Sequence, residues 1–241
     1  MKRYRDKHGK ERLWFPDGEI DEIMENELRQ AQLFPQIANP VVDLEQFIEN
    51  HLDVHLDQYA ELNDDILGET VFKINASPEI LINRILTSQA FEQRTEIPGS
   101  LGRWRATLAH EAAHVLLHEP LFKNGTQTPS LFDDLSATPE VQQLTRCSDA
   151  NIARHTAKTD WKEFQANQGM AALLMPRKLF IQVLSNEVFN IDSFIKELAE
   201  SPSKLHTFAS YIAGRFNVSR EAARIRLETL GYALPFGTTF L

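Results

Sequence analysis

The stretch Thr107-Leu-Ala-His-Glu-Ala-Ala-His-Val-Leu-Leu-His118 governs the reading of this 241-residue chain. It holds His110-Glu111-x-x-His114 within a run that otherwise favours helix. At 3.6 residues per turn, positions i and i+4 share a face, so both imidazoles can reach one Zn²⁺. Glu111 lies one step, about 100°, around the helix, where its carboxylate can take a proton from a water on that metal. By chance such a pattern arises in a chain of this size with a probability on the order of a few per cent, so a further ligand is needed to separate a metal site from two ordinary histidines. His118 does not supply it. It stands ~12 Å from His110 along a rigid helix axis, too far to share an ion with bonds of ~2 Å. It reads instead as a helix-end residue favoured by the C-terminal dipole.

A catalytic zinc takes three protein ligands and keeps its fourth position open. Downstream, Asp160-Trp-Lys-Glu-Phe-Gln-Ala-Asn-Gln-Gly-Met-Ala-Ala-Leu-Leu-Met-Pro176 predicts a second helix, stopped by Pro176. Glu163 and Asn167 are four apart and share a face. Glu163 can ligate the metal, and Asn167 can hydrogen-bond a ligand of the first helix and orient it. Glu163 has a second reading. Asp160-x-x-Glu163 also matches a capping box, in which the Glu satisfies a backbone N–H at the helix start.

Taken together, Arg105-x-Thr-Leu-Ala-His-Glu-x-x-His-x-Leu-Leu-His118, Glu163-x-Gln-Ala-Asn167 and Ala172-Leu-Leu-Met-Pro176 resemble the ImmA/IrrE family of metallopeptidases. The similarity extends over roughly residues 40–232. It implies a zincin-like domain in which His110, His114 and Glu163 bind zinc and Glu111 is the general base. It also implies a protein substrate, since some members cleave helix-turn-helix repressors of mobile-element or stress-response genes. The chain departs from the family pattern at Gly169-Met170 and in the roughly 40 residues between the motifs. The chemistry implied is that of a zinc peptidase: a metal-acidified water, a polarised carbonyl, and proton transfer by Glu111. His155, Arg103, Arg105 and Tyr211 are candidates to stabilise the oxyanion, but Arg105 has a strong structural reading, pairing with a carboxylate to hold the first motif helix. The alternative from another class is a metal-containing binding module that sequesters a partner, such as one half of a toxin–antitoxin pair.

Composition agrees with an ordinary folded protein, 42% hydrophobic and 24% charged. The single cysteine, Cys147, excludes a disulfide framework and an all-thiolate zinc site. It reads as a small buried hydrophobe with no nucleophilic partner in sequence. The basic start lacks the apolar core of a secretory signal, and no run reaches the ~20 residues of a membrane span, so a cytoplasmic, soluble protein is expected. The net charge of −9 is uneven. Residues 1–13 carry net +4, residues 17–65 net −13, and residues 66–241 none. An acidic chain suits direct nucleic-acid binding poorly. The acidic segment reads as solvated helix faces.

The expected fold class is α+β, mostly helical, with a small sheet against the two motif helices. Residues 1–40 form a loose basic arm and an acidic helix near 19–33, 41–200 the metallopeptidase domain, and 201–241 a C-terminal helical segment. Leu44, Phe47, Ile48 and Leu52 mark another amphipathic helix. Glu69–Ile74 and Glu79–Asn83 predict a β-hairpin. Residues 119–139 predict a long loop, with a helix beginning near Pro139. Ala213-Gly-Arg-Phe-Asn-Val-Ser-Arg-Glu-Ala-Ala223, continuing to Arg226-Leu227, resembles a helix-turn-helix, with Ser219 capping its second helix. DNA readout there would fall to Arg220 and Arg224, against the bland reading of a helical pair completing the core.

Overall fold

The structure is a computed structural model that describes residues 1–5, 9, 11–16, 18–73, 76–93, 96–97, 99–122, 141–148, 160–187 and 191–233. Its fold is α+β, and helix α4 (Ser100–His118) runs through its middle. The helix starts after Gly99, whose φ of +88° suits glycine. Every residue from Trp104 to Val115 is buried, because α4 has neighbours on all sides. Ala106, Ala109, Ala112 and Ala113 keep its surface low enough for those neighbours to approach. The helix α3 (Arg84–Phe91) is one of them.

On one side lies a four-stranded sheet of β3 (His55–Ala60), β4 (Gly68–Lys73), β5 (Glu79–Asn83) and β6 (Val141–Cys147), in the order β3-β5-β4-β6. The expected hairpin is present as β4 and β5, with Thr70 opposite Ile80. The helix expected from Pro139 is instead β6, paired to β4 from Val141 to Cys147. The free edge of β4 offers a hydrogen-bond ladder, and tertiary pairing outweighs weak local preference. β3 runs parallel to β5 and has no counterpart in the sequence reading. Of the predicted loop, Glu119–Leu121 forms a short 3₁₀ turn, and residues 123–139 lie outside those described.

Gly68 sets the approach of sheet to helix. A Cβ on it would stand 2.8 Å from Thr107 Cγ2 and 3.2 Å from Glu111 Cγ. Gly68→Ala is therefore expected to lower stability by about 1–3 kcal/mol, read as a shift in denaturant midpoint at constant slope.

Against another side of α4 packs α5 (Trp161–Leu174), whose first turn is capped by Asp160 accepting from the Lys162 N–H at 3.1 Å. Helix α1 (Glu19–Gln30) crosses α5 and places Ile20, Met24 and Leu28 in the same core, worth roughly 1.5–3 kcal/mol per side chain. The acidic residues of α1 are only partly solvated. Glu25 is buried and accepts from the Lys178 N–H at 2.7 Å, satisfying the first turn of α6 (Arg177–Glu187). Glu27 meets His51 Nε2 at 2.8 Å. Nor is the basic arm loose: β1 (Lys2–Arg5) and β2 (Glu11–Trp14) pair antiparallel, and Leu13 is buried. Leu44–Gln46 forms a short helix, α2, that continues as a π turn over Phe47–His51 and buries Leu44, Phe47 and Ile48.

The C-terminal helices α7 (Ile191–Glu200), α8 (Pro202–Phe216) and α9 (Arg220–Thr229) follow. Asn217, in the left-handed region at φ +51°, ends α8, and the Ser219 hydroxyl accepts from the Ala222 N–H at 3.1 Å to open α9. Two arginines of α9 are engaged within the protein. Arg224 pairs with Glu221 and Glu228. Arg226 is buried, pairs with Asp21 of α1, and donates to the Met175 carbonyl through Nη2 at 2.9 Å. That carbonyl ends α5. Arg226→Leu is expected to cost about 2–3 kcal/mol in a melt, because the charged donor to an orphan helix-end carbonyl is lost. Among the described residues, no helix is long and apolar enough to cross a membrane.

Candidate metal centre

Helix α4 carries His110, Glu111 and His114, and the facing first turn of α5 carries Glu163. The three residues of the expected ligand set meet in one place. His110 Nε2 lies 3.1 Å from His114 Nε2, and Glu163 places Oε2 at 3.2 Å from His110 Nε2 and Oε1 at 3.3 Å from His114 Nε2. A tetrahedral zinc with bonds of about 2.0–2.1 Å holds its donors about 3.3 Å apart. The three residues thus form a triangle whose separations match donor spacing around zinc, each imidazole facing its own oxygen of Glu163. Asp160 supplies the helix cap, while the Glu163 carboxylate sits at the histidines.

Asn167, one turn beyond Glu163, has Oδ1 3.1 Å from His110 Nδ1. The amide oxygen can only accept, so Nδ1 of His110 carries a proton and Nε2 faces the triangle. Glu111 points elsewhere, toward the sheet. Its Oε2 accepts from the Thr70 hydroxyl at 2.6 Å, and its Oε1 is buried with no hydrogen-bond partner among the described residues. A buried acceptor left open in this way calls for a donor such as a water.

The charges agree with a cation-binding site. Burial pushes the Glu111 carboxyl up to about 7, with Glu163 and Glu69 adding to the effect and His110 and Thr70 opposing it. Burial takes His114 down to about 4 and keeps it neutral, the form in which imidazole ligates. For Glu163 burial acts upward, but the two imidazoles that face it outweigh burial and hold it well below the usual carboxylate range. Burial lowers His110 too, yet Glu163 and Glu111 raise it overall, so a cation bound there would displace a proton from His110. A divalent ion with the two carboxylates makes a neutral buried set, which lowers the cost of burying either charge alone. The donor set and the open Glu111 oxygen therefore fit zinc. Glu163→Ala, which removes one corner, is expected to weaken zinc binding by more than about 100-fold in a chelator competition.

Several neighbours of the site were not legible in sequence. Thr70 lies 41 positions from Glu111 and reaches it only through the packing of β4 on α4. Cys147 is buried, but it is not remote from the site: potential ligand atoms of His110, Glu111 and Cys147 lie within 4.8 Å of one another. It comes there because Cys147 pairs with Gly68, and Gly68 lies over Glu111. His118 is a helix-end residue, but a fully buried one, with Nδ1 3.0 Å from His114 Nδ1. The i, i+4, i+8 spacing is its only signal in the sequence. Of the oxyanion candidates, Arg105 is buried and donates to the Val42 carbonyl at 2.9 Å, a structural role. Arg103 lies half-buried in the first turn of α4, two turns before His110. Tyr211 stacks on Phe208 within α8, and His155 lies outside the described residues. No protein-family model matches the chain, and no curated protein matches it.

Proposed function

We propose that the protein is a cytoplasmic zinc-dependent endopeptidase of the ImmA/IrrE type, with a zincin-like arrangement of its motif helices and a particular protein as substrate. The resemblance points to a helix-turn-helix repressor as that substrate. The observation that carries the reading is the convergence of His110, His114 and Glu163 at zinc-ligand spacing beside a buried Glu111 with one open oxygen.

His110, His114 and Glu163 would hold the ion, which when bound supplies an acidified water and a polarised scissile carbonyl. Asn167 fixes the tautomer of His110. Thr70 occupies one oxygen of Glu111 and leaves the other to accept the water proton and return it to the departing amine. The Thr70 hydroxyl favours the charged carboxylate, so its removal raises the Glu111 pKa further. Thr70→Val is expected to move the acidic limb of the kcat/KM profile to higher pH.

The reading is tested by elemental analysis of the purified protein and by incubation with any helix-turn-helix repressor encoded beside its gene. About one zinc per chain and cleavage of the repressor are expected. One zinc per chain with stoichiometric repressor binding and no cleavage would instead favour the metal-containing binding module. A metal-free, normally folded protein that takes up no zinc would overturn the metal centre itself.

A further inference from the structure

His118 has no part in the reaction just described, yet it is fully buried and hydrogen-bonded at both ring nitrogens. Its Nε2 lies 3.1 Å from Gln165 Oε1, and Gln165 Nε2 donates to the Leu13 carbonyl at 2.9 Å. A continuous chain of bonds thus runs from the ligand His114 to the backbone of strand β2 in the basic arm. The far end sets its direction. A carbonyl only accepts, so the Gln165 amide nitrogen faces Leu13 and its oxygen faces His118. His118 Nε2 must then carry a proton. The two Nδ1 atoms, 3.0 Å apart, share a single proton, and the ring of His118 already carries its own at Nε2, so its Nδ1 accepts. His114 Nδ1 therefore carries the proton and donates it, and His114 Nε2 is left bare toward Glu163 and His110.

We infer that the N-terminal arm is a positioning element for the metal centre: docked at Leu13, it fixes the ligating tautomer of His114 through Gln165 and His118. The inference rests on the metal-centre reading above. The arm is anchored where this chain of bonds emerges. Arg3 donates to the Pro120 carbonyl at 3.1 Å, just past the end of α4, and the terminal amine pairs with Glu19 at the start of α1. Trp161 packs edge-on against His118, ring centroids 5.6 Å apart, and holds the ring in place. Coupling of this kind is reciprocal. Docking of the arm strengthens metal binding, and metal binding holds the arm down.

The test uses the full-length protein with zinc as the probe. Replacement of a ligand's hydrogen-bond partner costs about 10–100-fold in metal affinity. His118→Phe, which strands the His114 Nδ1 proton, is expected to weaken zinc binding by that factor. Gln165→Leu, nearly isosteric and further from the ion, should weaken it about 10-fold and serves if the first variant does not fold. The second measurement is amide exchange over residues 11–14. In the wild type, zinc should slow exchange there several-fold, and in Gln165→Leu it should not. A purely structural role for these residues would lower the melting temperature of the variants and leave both readouts unmoved. If the wild type binds one zinc and the variants bind it within about twofold, with arm exchange insensitive to zinc, the inference is overturned and the metal centre stands. If the wild type binds no zinc, the metal centre falls and the inference with it.

Discussion

Glu111→Gln is expected to reduce cleavage of the protein substrate by about 10²–10⁴-fold while zinc stays at one per chain, because a positioned general base contributes about that factor. Glu111 stands apart from the set of His110, His114 and Glu163, so an ion held there would keep all three donors. The amide oxygen of the variant can still accept from Thr70, which leaves the packing of β4 on α4 undisturbed. Burial raises the native carboxyl to about 7, so above that pH the folded protein must carry a charge that is costly to bury. A neutral amide removes that cost. The metal-free variant should consequently melt no lower than the metal-free wild type above pH 7. Cleavage at the wild-type rate would remove Glu111 from the role of base and leave the metal untouched.

Gly169→Val should have the second large effect, and through packing alone. A Cβ at this position would stand 2.7 Å from Ala113 Cβ and 3.0 Å from Met24 Cε. Met24 can swing its methyl away, but Ala113 Cβ is fixed to the backbone of α4. Helix α5 must then move outward or rotate. Glu163 lies six residues before Gly169 on the same rigid helix, about 9 Å along its axis, and moves with it. The expected result is a loss of about 3 kcal/mol in denaturant unfolding, together with weakened zinc binding. Wild-type zinc affinity in a destabilised Gly169→Val protein would show that the two helices are not coupled rigidly. The same close approach gives a physical reason for glycine at one of the two positions, Gly169-Met170, where the sequence departs from the pattern it otherwise resembles.

The motif helices were legible because their signals are local. His110 and His114 lie one turn apart, as do Glu163 and Asn167, and the β4–β5 hairpin follows from two apolar runs around Asn75-Ala-Ser-Pro78. What could not be read depends on distant partners. The residues of β6 say nothing of the open edge of β4 that makes them a strand. The charges of α1 are visible in sequence and suggest an appendage, whereas the contact of Met24 with Gly169 is not visible. Cys147 and Thr70 reach Glu111 only because Gly68 lets the sheet approach α4. Axial distance keeps His118 from the ion that His110 would hold, but it carries no information about the bond from His118 to His114.

The pairing of Asp21 with Arg226 joins residues 205 positions apart, and Arg226 also closes the end of α5 at Met175. Contacts of such long sequence separation form late, since the entropy of closing so large a loop must be met first. During synthesis, α1 leaves the ribosome long before its α9 partner exists. The motif helices emerge earlier than the helix that fastens them. A nascent chain thus carries His110, His114 and Glu163 before the contact that ties α1 to α9 can form.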